Sequence, residues 1–244
     1  MATYTGVADA NGDFTVPFSS NYTSGQKITV TAEKDSATKS IELYAPSEVI
    51  GGGAIQFTGT LDDFPNNIGG VIISKINGSI GDYAFQPESS ANGGFQRKAT
   101  SLEIKEGVTN IGVNCFKGWG KIQSLILPEG LLYIQSGAFS GLSIIKSITL
   151  PDSVLAIGGF AFEYCSELEE ITFGESTTAL SGLILTGSSK LRRIYCLAEI
   201  PPAIASNTLN GLHSSAVIYV PSSSVAAYQA AANWAAFAER IQAI

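Results

Sequence analysis

The stretch Ser147-Ile148-Thr149-Leu150-Pro151-Asp152-Ser153-Val154-Leu155-Ala156-Ile157-Gly158-Gly159-Phe160-Ala161-Phe162 decides the fold, because its apolar pattern recurs every 23 residues. Ile148 is in phase with Leu102, Leu125, Ile171 and Ile194. Leu150 shares a column with Ile104, Leu127, Phe173 and Cys196. Ile157 aligns with Ile111, Ile134 and Leu180, and Phe162 with Phe116 and Phe139. A chain that places an apolar side chain at one phase of a short fixed period is stacking copies of one unit. Each copy is too small to bury its own apolar face, so its neighbours must bury it. That is a solenoid, and it points to binding before chemistry.

Outward from this core the pattern changes at both ends. An earlier copy runs from Val71 to Phe85, where Ile80-Gly81 and Ala84-Phe85 anticipate Ile111-Gly112 and Cys115-Phe116. That offset is 31 residues, so eight are inserted, and the polar stretch Pro87 to Gly94 holds them. The copy after Phe173 is degenerate: Ser176 to Ser189 keeps Leu180 and loses the Ala-Phe pair. From Ala216 to Val220 the chain reads as a strand stopped by Pro221, and Ser222 to Ser224 can cap a helix. Val225, Tyr228, Ala232, Trp234, Phe237 and Ile241 then recur at near-helical spacing, with Asn233 dividing the run. We read this tail as a lid over the last open repeat, which a solenoid's bare terminal edge requires.

Residues 1–46 follow a different period. Thr3–Ala8, Asp13–Phe18, Lys27–Glu33 and Lys39–Ala45 alternate polar and apolar side chains between turn clusters such as Ala10-Asn11-Gly12. This is the pattern of antiparallel strands. Gly6-Val7-Ala8-Asp9-Ala10-Asn11-Gly12-Asp13-Phe14-Thr15-Val16 and Gly25-Gln26-Lys27-Ile28-Thr29-Val30-Thr31-Ala32 resemble the C-terminal half of a bacterial immunoglobulin-like domain. Pro46 to Gly53 reads as a linker, and Ala54 to Leu61 as one more strand, the solenoid's first edge. The expected fold class is mainly β with short helical turns. The expected divisions are a partial Ig-like β module (1–46), a linker with an edge strand (47–60), the solenoid (61–214) and a strand-helix cap (215–244).

Composition narrows the function classes. The formal charge of −7 lacks the basic face that nucleic-acid binding needs. No apolar run approaches the ~18 residues of a membrane span. Met1-Ala2-Thr3-Tyr4 is polar and without the apolar stretch of a secretion signal, so the expectation is a trimmed signal or export by another route. The columns place Cys115, Cys165 and Cys196 among core hydrophobes, so all three are expected to be free thiols.

Catalytic and metal-binding patterns are missing. His213 is the only histidine and cannot supply a multi-histidine metal site. Asp9, Asn11 and Asp13 echo a calcium loop, yet its sixth position is Phe14 and its twelfth Ser20, so a hairpin turn explains them better. Gly51-Gly52-Gly53 lacks the Lys-Ser/Thr ending of a phosphate loop. The Glu169-Glu170 pair is read on a strand, where neighbours face apart. No cofactor, metal or catalytic residue is expected.

Side chains on a strand alternate between faces. With Leu102 and Ile104 inward, the outward ladder is Ser101, Ser124, Ser147, Glu170 and Arg193 in one column. The next outward column is Glu103, Ile126, Thr149, Thr172 and Tyr195. These positions, with Tyr133 in the variable column beside Asn110 and Ala156, are the candidate ligand contacts. Ile126 and Tyr195 are the most anchor-like of them.

Leu125-Ile126-Leu127-Pro128, Ile134 and Ala138-Phe139, then Ile148-Thr149-Leu150-Pro151, Ile157-Gly158, Ala161-Phe162 and Cys165, resemble the BspA-like leucine-rich repeat proteins. The tail from Ile218-Tyr219-Val220-Pro221 through Tyr228, Trp234 and Arg240-Ile241 resembles the end of such proteins. The resemblance implies a non-enzymatic extracellular binding protein at a bacterial cell surface, often an adhesin, whose partner is a host or bacterial surface protein or glycan. The same repeats joined to immunoglobulin-like domains occur in phage virion proteins, which makes a virion attachment component the sister expectation. A structural decoration or scaffold protein docking onto other virion or surface proteins through residues 1–46 is the alternative.

Overall fold

The computed structural model describes the strand backbones at residues 14–18, 27–34, 37–44 and 53–57, and residues 68–86 and 98–244 in full. The strand expected at Thr3–Ala8, the Asp9-to-Asp13 turn, Gly51-Gly52, the linker 47–52 and the insertion Pro87–Gly94 lie outside the described residues.

Two ladders of parallel strands build the solenoid. On one side β5 (Gly70–Ser74) pairs with β7 (Ser101–Ile104), and β7 with β9 (Ser124–Ile126). A second sheet follows on from it: β11 (Ser147–Thr149), β13 (Glu170–Phe173), β15 (Arg193–Cys196), β17 (Val217–Val220) and β18 (Ile241–Ala243). The other side carries six short strands in one sheet: β6 (Gly78–Ile80), β8 (Val108–Ile111), β10 (Tyr133–Ile134), β12 (Ala156–Ile157), β14 (Ala179–Leu180) and β16 (Ala203–Ile204). The register follows the sequence period: Ile148 faces Ile171, Ile171 faces Ile194, and Ile134 lies between Ile111 and Ile157.

The long ladder divides between β9 and β11, which belong to separate sheets. Leu125, on β9, is correspondingly only partly buried, while its column mates Leu102, Ile148, Ile171 and Ile194 are buried.

The core is a set of rows running along the stacking axis. Phe85, Phe116, Phe139 and Phe162 form a stack with centroids 5.3, 5.5 and 5.8 Å apart and nearly parallel planes. Ile80 pairs with Ile111, so the 31-residue offset of the first copy leaves the register of the core intact. Trp119 meets Phe116 edge-on, and its indole N–H donates to the carbonyl of Phe85 at 2.8 Å. The degenerate copy keeps its core by substitution: Ile184 and Leu185 stand where earlier copies have Ala-Phe, and both are buried.

Four central coils bend at the same two places. Asn114, Gly137, Phe160 and Leu183 all have φ between 51 and 66°. Four residues later, Gly118, Gly141, Tyr164 and Gly187 are again left-handed. In these four coils the second column is glycine except at Tyr164, because only glycine enters that region without steric cost.

The N-terminal strands meet the solenoid directly. β1 (Phe14–Phe18) pairs antiparallel with β4 (Gly53–Phe57), which pairs antiparallel with β5. The expected edge strand therefore has neighbours on both sides. β2 (Lys27–Lys34) and β3 (Ala37–Tyr44) form a separate antiparallel hairpin.

The cap differs from the sequence expectation in its second half. A 3-10 turn at Ser222–Ser224 leads into α1 (Val225–Ala230), which ends where Ala231 turns extended, and Asn233 follows at φ 65°. A 3-10 helix follows at Ala235–Arg240, and Ile241–Ala243 returns to the sheet as β18 instead of continuing as helix. Among the described residues no helix is long and apolar enough to cross a membrane.

Candidate functional site

The outward columns stand on the long ladder as the alternation requires. β7 reads part-buried, buried, part-buried, buried from Ser101 to Ile104, and β15 carries Arg193 exposed, Ile194 buried, Tyr195 part-buried and Cys196 buried. Ser101 faces Ser124 and Glu103 faces Ile126 across β7 and β9. Ser147, Glu170 and Arg193 line up across β11, β13 and β15, and so do Thr149, Thr172 and Tyr195. Ser124, Ser147 and Thr149 are exposed, and Ile126 is 53% exposed. Glu103, Glu170 and Thr172 are half-buried.

The division between β9 and β11 splits these residues into two groups. The first is Ser101, Glu103, Ser124 and Ile126, with Lys105 ion-paired to Glu103. In the second, the Arg193 guanidinium donates to the Glu170 carboxylate at 2.7 Å, joining consecutive copies. That hydrogen bond, and then the carboxylate charge, raise the Arg193 pKa. Tyr133 belongs to the other sheet, between Asn110 and Ala156, and is 42% exposed. It does not join the outward columns of the long ladder.

One residue of the second group was not foreseen. Tyr219 of β17 stacks on Tyr195 with centroids 5.0 Å apart and planes 18° from parallel. The period of 23 hides it, since Ile194 and Tyr195 pair with Ile218 and Tyr219 at an offset of 24. Allowing one inserted residue would have extended both columns into the cap. Gln242 then continues the Tyr219 column on β18.

Several of the other polar groups, and the thiols, serve the scaffold. The Ser136, Ser143, Ser153, Ser166, Thr177 and Thr178 hydroxyls each donate to a carbonyl of an adjacent coil. Cys115, Cys165 and Cys196 are free and buried, and desolvation pushes the Cys165 thiol up to about 12. His213 sits in the turn before the cap, with Nδ1 2.8 Å from the Ser215 hydroxyl. Glu169 immediately precedes β13, and its carbonyl accepts from the backbone N–H groups of Arg192 and Arg193. Among the described residues no group of His, Cys, Asp and Glu side chains is arranged to hold a metal.

Parallel ladders, stacked core columns and a terminal cap define a leucine-rich repeat solenoid. Residues 79–208, more than half of the chain, match the model of the BspA type leucine rich repeat region in six copies. The chain belongs to that family. Its fold is similar to that of the pneumococcal vaccine antigen PcpA, with 20% identity over 88% of this chain and 48% of that one, at a TM-score of 0.58. The chain thus spans about half the length of that protein. A Treponema pallidum leucine rich repeat protein also matches, with 20% identity over 58% of this chain and 68% of that one, at a TM-score of 0.44. So does a leucine rich cell surface protein from Faecalibacterium prausnitzii, with 20% identity over 68% and 52% of the two chains and a TM-score of 0.41. No curated protein matches the chain.

Proposed function

We propose that this chain is a non-enzymatic extracellular binding protein that engages a cell-surface protein or glycan through the outward face of its long ladder. The observation that carries the reading is the freedom of that face from packing. Ser147, Thr149, Thr172, Glu170 and Arg193 cover inward residues already buried from the other side, and the Tyr195–Tyr219 stack ends the face with aromatic surface. Aromatic rings flanked by hydroxyls and a charged pair suit a polar, hydroxyl-rich or peptide partner. Membership of the BspA-type repeats supports a bacterial surface setting, in which the protein acts as an adhesin. A virion attachment component uses the same face and differs in how it reaches the cell exterior.

The test is attachment of purified protein to bacterial and host cells and to a glycan array. Glu170→Arg and Arg193→Glu singly, and Tyr195→Ala, weaken attachment if this face makes the contact. Attachment equal to the parent in all three rules the face out. A decoration or scaffold role is the second reading. It is supported by the β2–β3 hairpin, which pairs with no other strand among the described residues and offers its edges to another chain. Retention of the protein in an assembly only when residues 1–46 are present would favour it.

A further inference from the structure

The last full coil is one residue longer than its predecessor, and the position of that residue is fixed by the register. Phe173 pairs with Cys196 at an offset of 23, whereas Ala179 pairs with Ala203 at 24. The additional residue therefore lies between Cys196 and Ala203. There the loop borders a cleft of about 620 Å³, lined also by residues 175–178 and Pro221. That volume falls within the ~300–1,000 Å³ typical of ligand sites. Ile200 stands on its rim, 81% exposed, with Leu197, Ala198 and Pro201 forming the apolar wall beside it. An isoleucine held that far into water by a proline-flanked bulge contributes nothing to the core.

The polar character of the cleft is one-sided. Its charged lining residues are Glu175 and Glu199, both exposed, and no Lys, Arg or His lines it. Most donors on the 175–178 side of the cleft are already used. The backbone N–H groups of Glu175 and Ser176 go to Asp152, that of Thr177 to Gly174, that of Thr178 to Leu155 and that of Leu197 to Phe173. The Thr177 and Thr178 hydroxyls donate to Val154 and Leu155. The rest of the lining is an apolar wall with two carboxylates on its rim, beside the Ser176 hydroxyl and the Ala198, Glu199 and Ile200 N–H groups. A cationic group beside an apolar one satisfies the carboxylates and the wall together, whereas an anion would meet the repulsion of both carboxylates with no basic side chain to offset it.

We propose that this cleft docks a basic polypeptide segment, taking an apolar side chain against Ile200 and Pro201 while Lys or Arg side chains pair with Glu175 and Glu199. The site is built from the loops between the two ladders and is distinct from the Glu170–Arg193 and Tyr195 face, so each stands or falls separately.

The experiment titrates the full ¹⁵N-labelled chain at low salt with acetylated, amidated Lys-Leu-Lys, Lys-Ser-Lys and Glu-Leu-Glu, following amide shifts. Lys-Leu-Lys is expected to give saturable shifts confined to residues 174–178 and 197–200, at a Kd on the order of 1 mM for so short a probe. Lys-Ser-Lys should bind several-fold more weakly, and Glu-Leu-Glu should leave these amides unmoved. Ile200→Ser, and Glu175→Gln combined with Glu199→Gln, should each raise the Kd about five-fold or more, the scale of one apolar contact or a screened ion pair. All three positions are exposed, and superimposable spectra elsewhere verify that the variants fold. Equal shifts with Glu-Leu-Glu, shifts centred outside the cleft, or variants that bind like the parent overturn the proposal. So does the absence of a saturable shift. Attachment through the sheet face, measured with the Glu170 and Arg193 variants, is unaffected by any of these results.

Discussion

The ring of Phe139 lies 5.5 Å from that of Phe116, and their planes are 6° from parallel. Twenty-three residues of chain separate the two, so one full coil brings the second ring onto the first. Phe162 repeats the relationship on the other side at 5.8 Å and 6°. Phe139 thus bridges two interfaces of the array, and its side chain is fully buried. In a solenoid, stability is carried by contacts between nearest neighbours. Phe139→Ala removes a ring from both interfaces and leaves a cavity, at an expected loss of about 3–5 kcal/mol in urea unfolding. A loss below ~1 kcal/mol would mean that the stack does not hold the coils together.

Close approach of successive coils also constrains backbone positions. A Cβ added at Gly158 would come within 2.4 Å of the Ser136 backbone N and 2.7 Å of the Gln135 carbonyl carbon. Neither obstacle is the flexible end of a side chain, so the coil below must shift. Gly158→Ala should therefore cost about 1–3 kcal/mol, as overpacking does. Gly130→Ala, where an added Cβ meets nothing within 4 Å, is the matched control and should stay within about 0.5 kcal/mol of the parent. Equal midpoints for the two variants would contradict the coil spacing.

How much of this was legible in the sequence follows from where the period holds. The columns through Ile148, Leu150, Ile157 and Phe162 declare themselves because one spacing serves all the central copies. Burial of those columns and the outward alternation then follow from strand geometry alone. The signal fails where a coil changes length or residue type. Ile184-Leu185 replaces Ala-Phe with equal burial, which a search for the motif misses and a search for volume would find. One inserted residue before Ala203 hid the Tyr195–Tyr219 stack and the cleft beside Ile200. The tail reads as helix because Val225, Tyr228 and Trp234 recur at helical spacing. Yet Ile241 leaves that course to pair with Ile218, and the free edge of β17 outweighs local propensity. The split of the ladder at β9 has no signature in the repeat length.

The buried thiols give the fold a pH limit whose sign can be worked out. Desolvation raises the Cys165 pKa from the ordinary 9.0 to about 12, and burial also raises those of Cys115 and Cys196. Above pH 9 an unfolded chain releases these protons while the folded chain keeps them. Folding is thus favoured fully below the ordinary thiol value, and this contribution is lost as pH rises from about 9 towards 12. The slope approaches about 1.4 kcal/mol per pH unit for each thiol. Urea midpoints should fall between pH 8 and 10.5, and by less in a variant with all three cysteines changed to alanine, each compared with its own value at pH 8. The same burial keeps the thiols unreactive to an aromatic disulfide reagent until the chain unfolds. Rapid labelling of the native protein would contradict the packing.

The cap is fastened by two aromatic side chains that keep their polar atoms satisfied. Tyr228 is buried, and its hydroxyl donates to the Ala198 carbonyl at 2.8 Å. The Trp234 indole N–H donates to the Pro202 carbonyl at 2.7 Å, and the two rings meet edge-on at 5.0 Å. Both acceptors lie in the bulged loop after β15, so the cap also holds the wall of the cleft in place. Burial raises the Tyr228 pKa above the ordinary phenol value, with Cys196 as a lesser cause, so the hydroxyl remains a donor throughout the neutral range. Tyr228→Phe keeps the ring and leaves the Ala198 carbonyl without this partner, at an expected cost of about 1–2 kcal/mol. Trp234→Ala removes both the ring and the bond, and should cost about 3–5 kcal/mol. Because the two contacts share one loop, the double variant should lose less than the sum of the single losses. Amide exchange separates this from a general weakening. Protection should fall first at Ile218, Tyr219 and Ile241, next at Leu197 and Ala203 on either side of the loop, and last at Ile148 and Ile171 in the middle of the array. Loss of protection at the central strands as early as at the cap would mean that the cap and the last coil do not open as a separate unit.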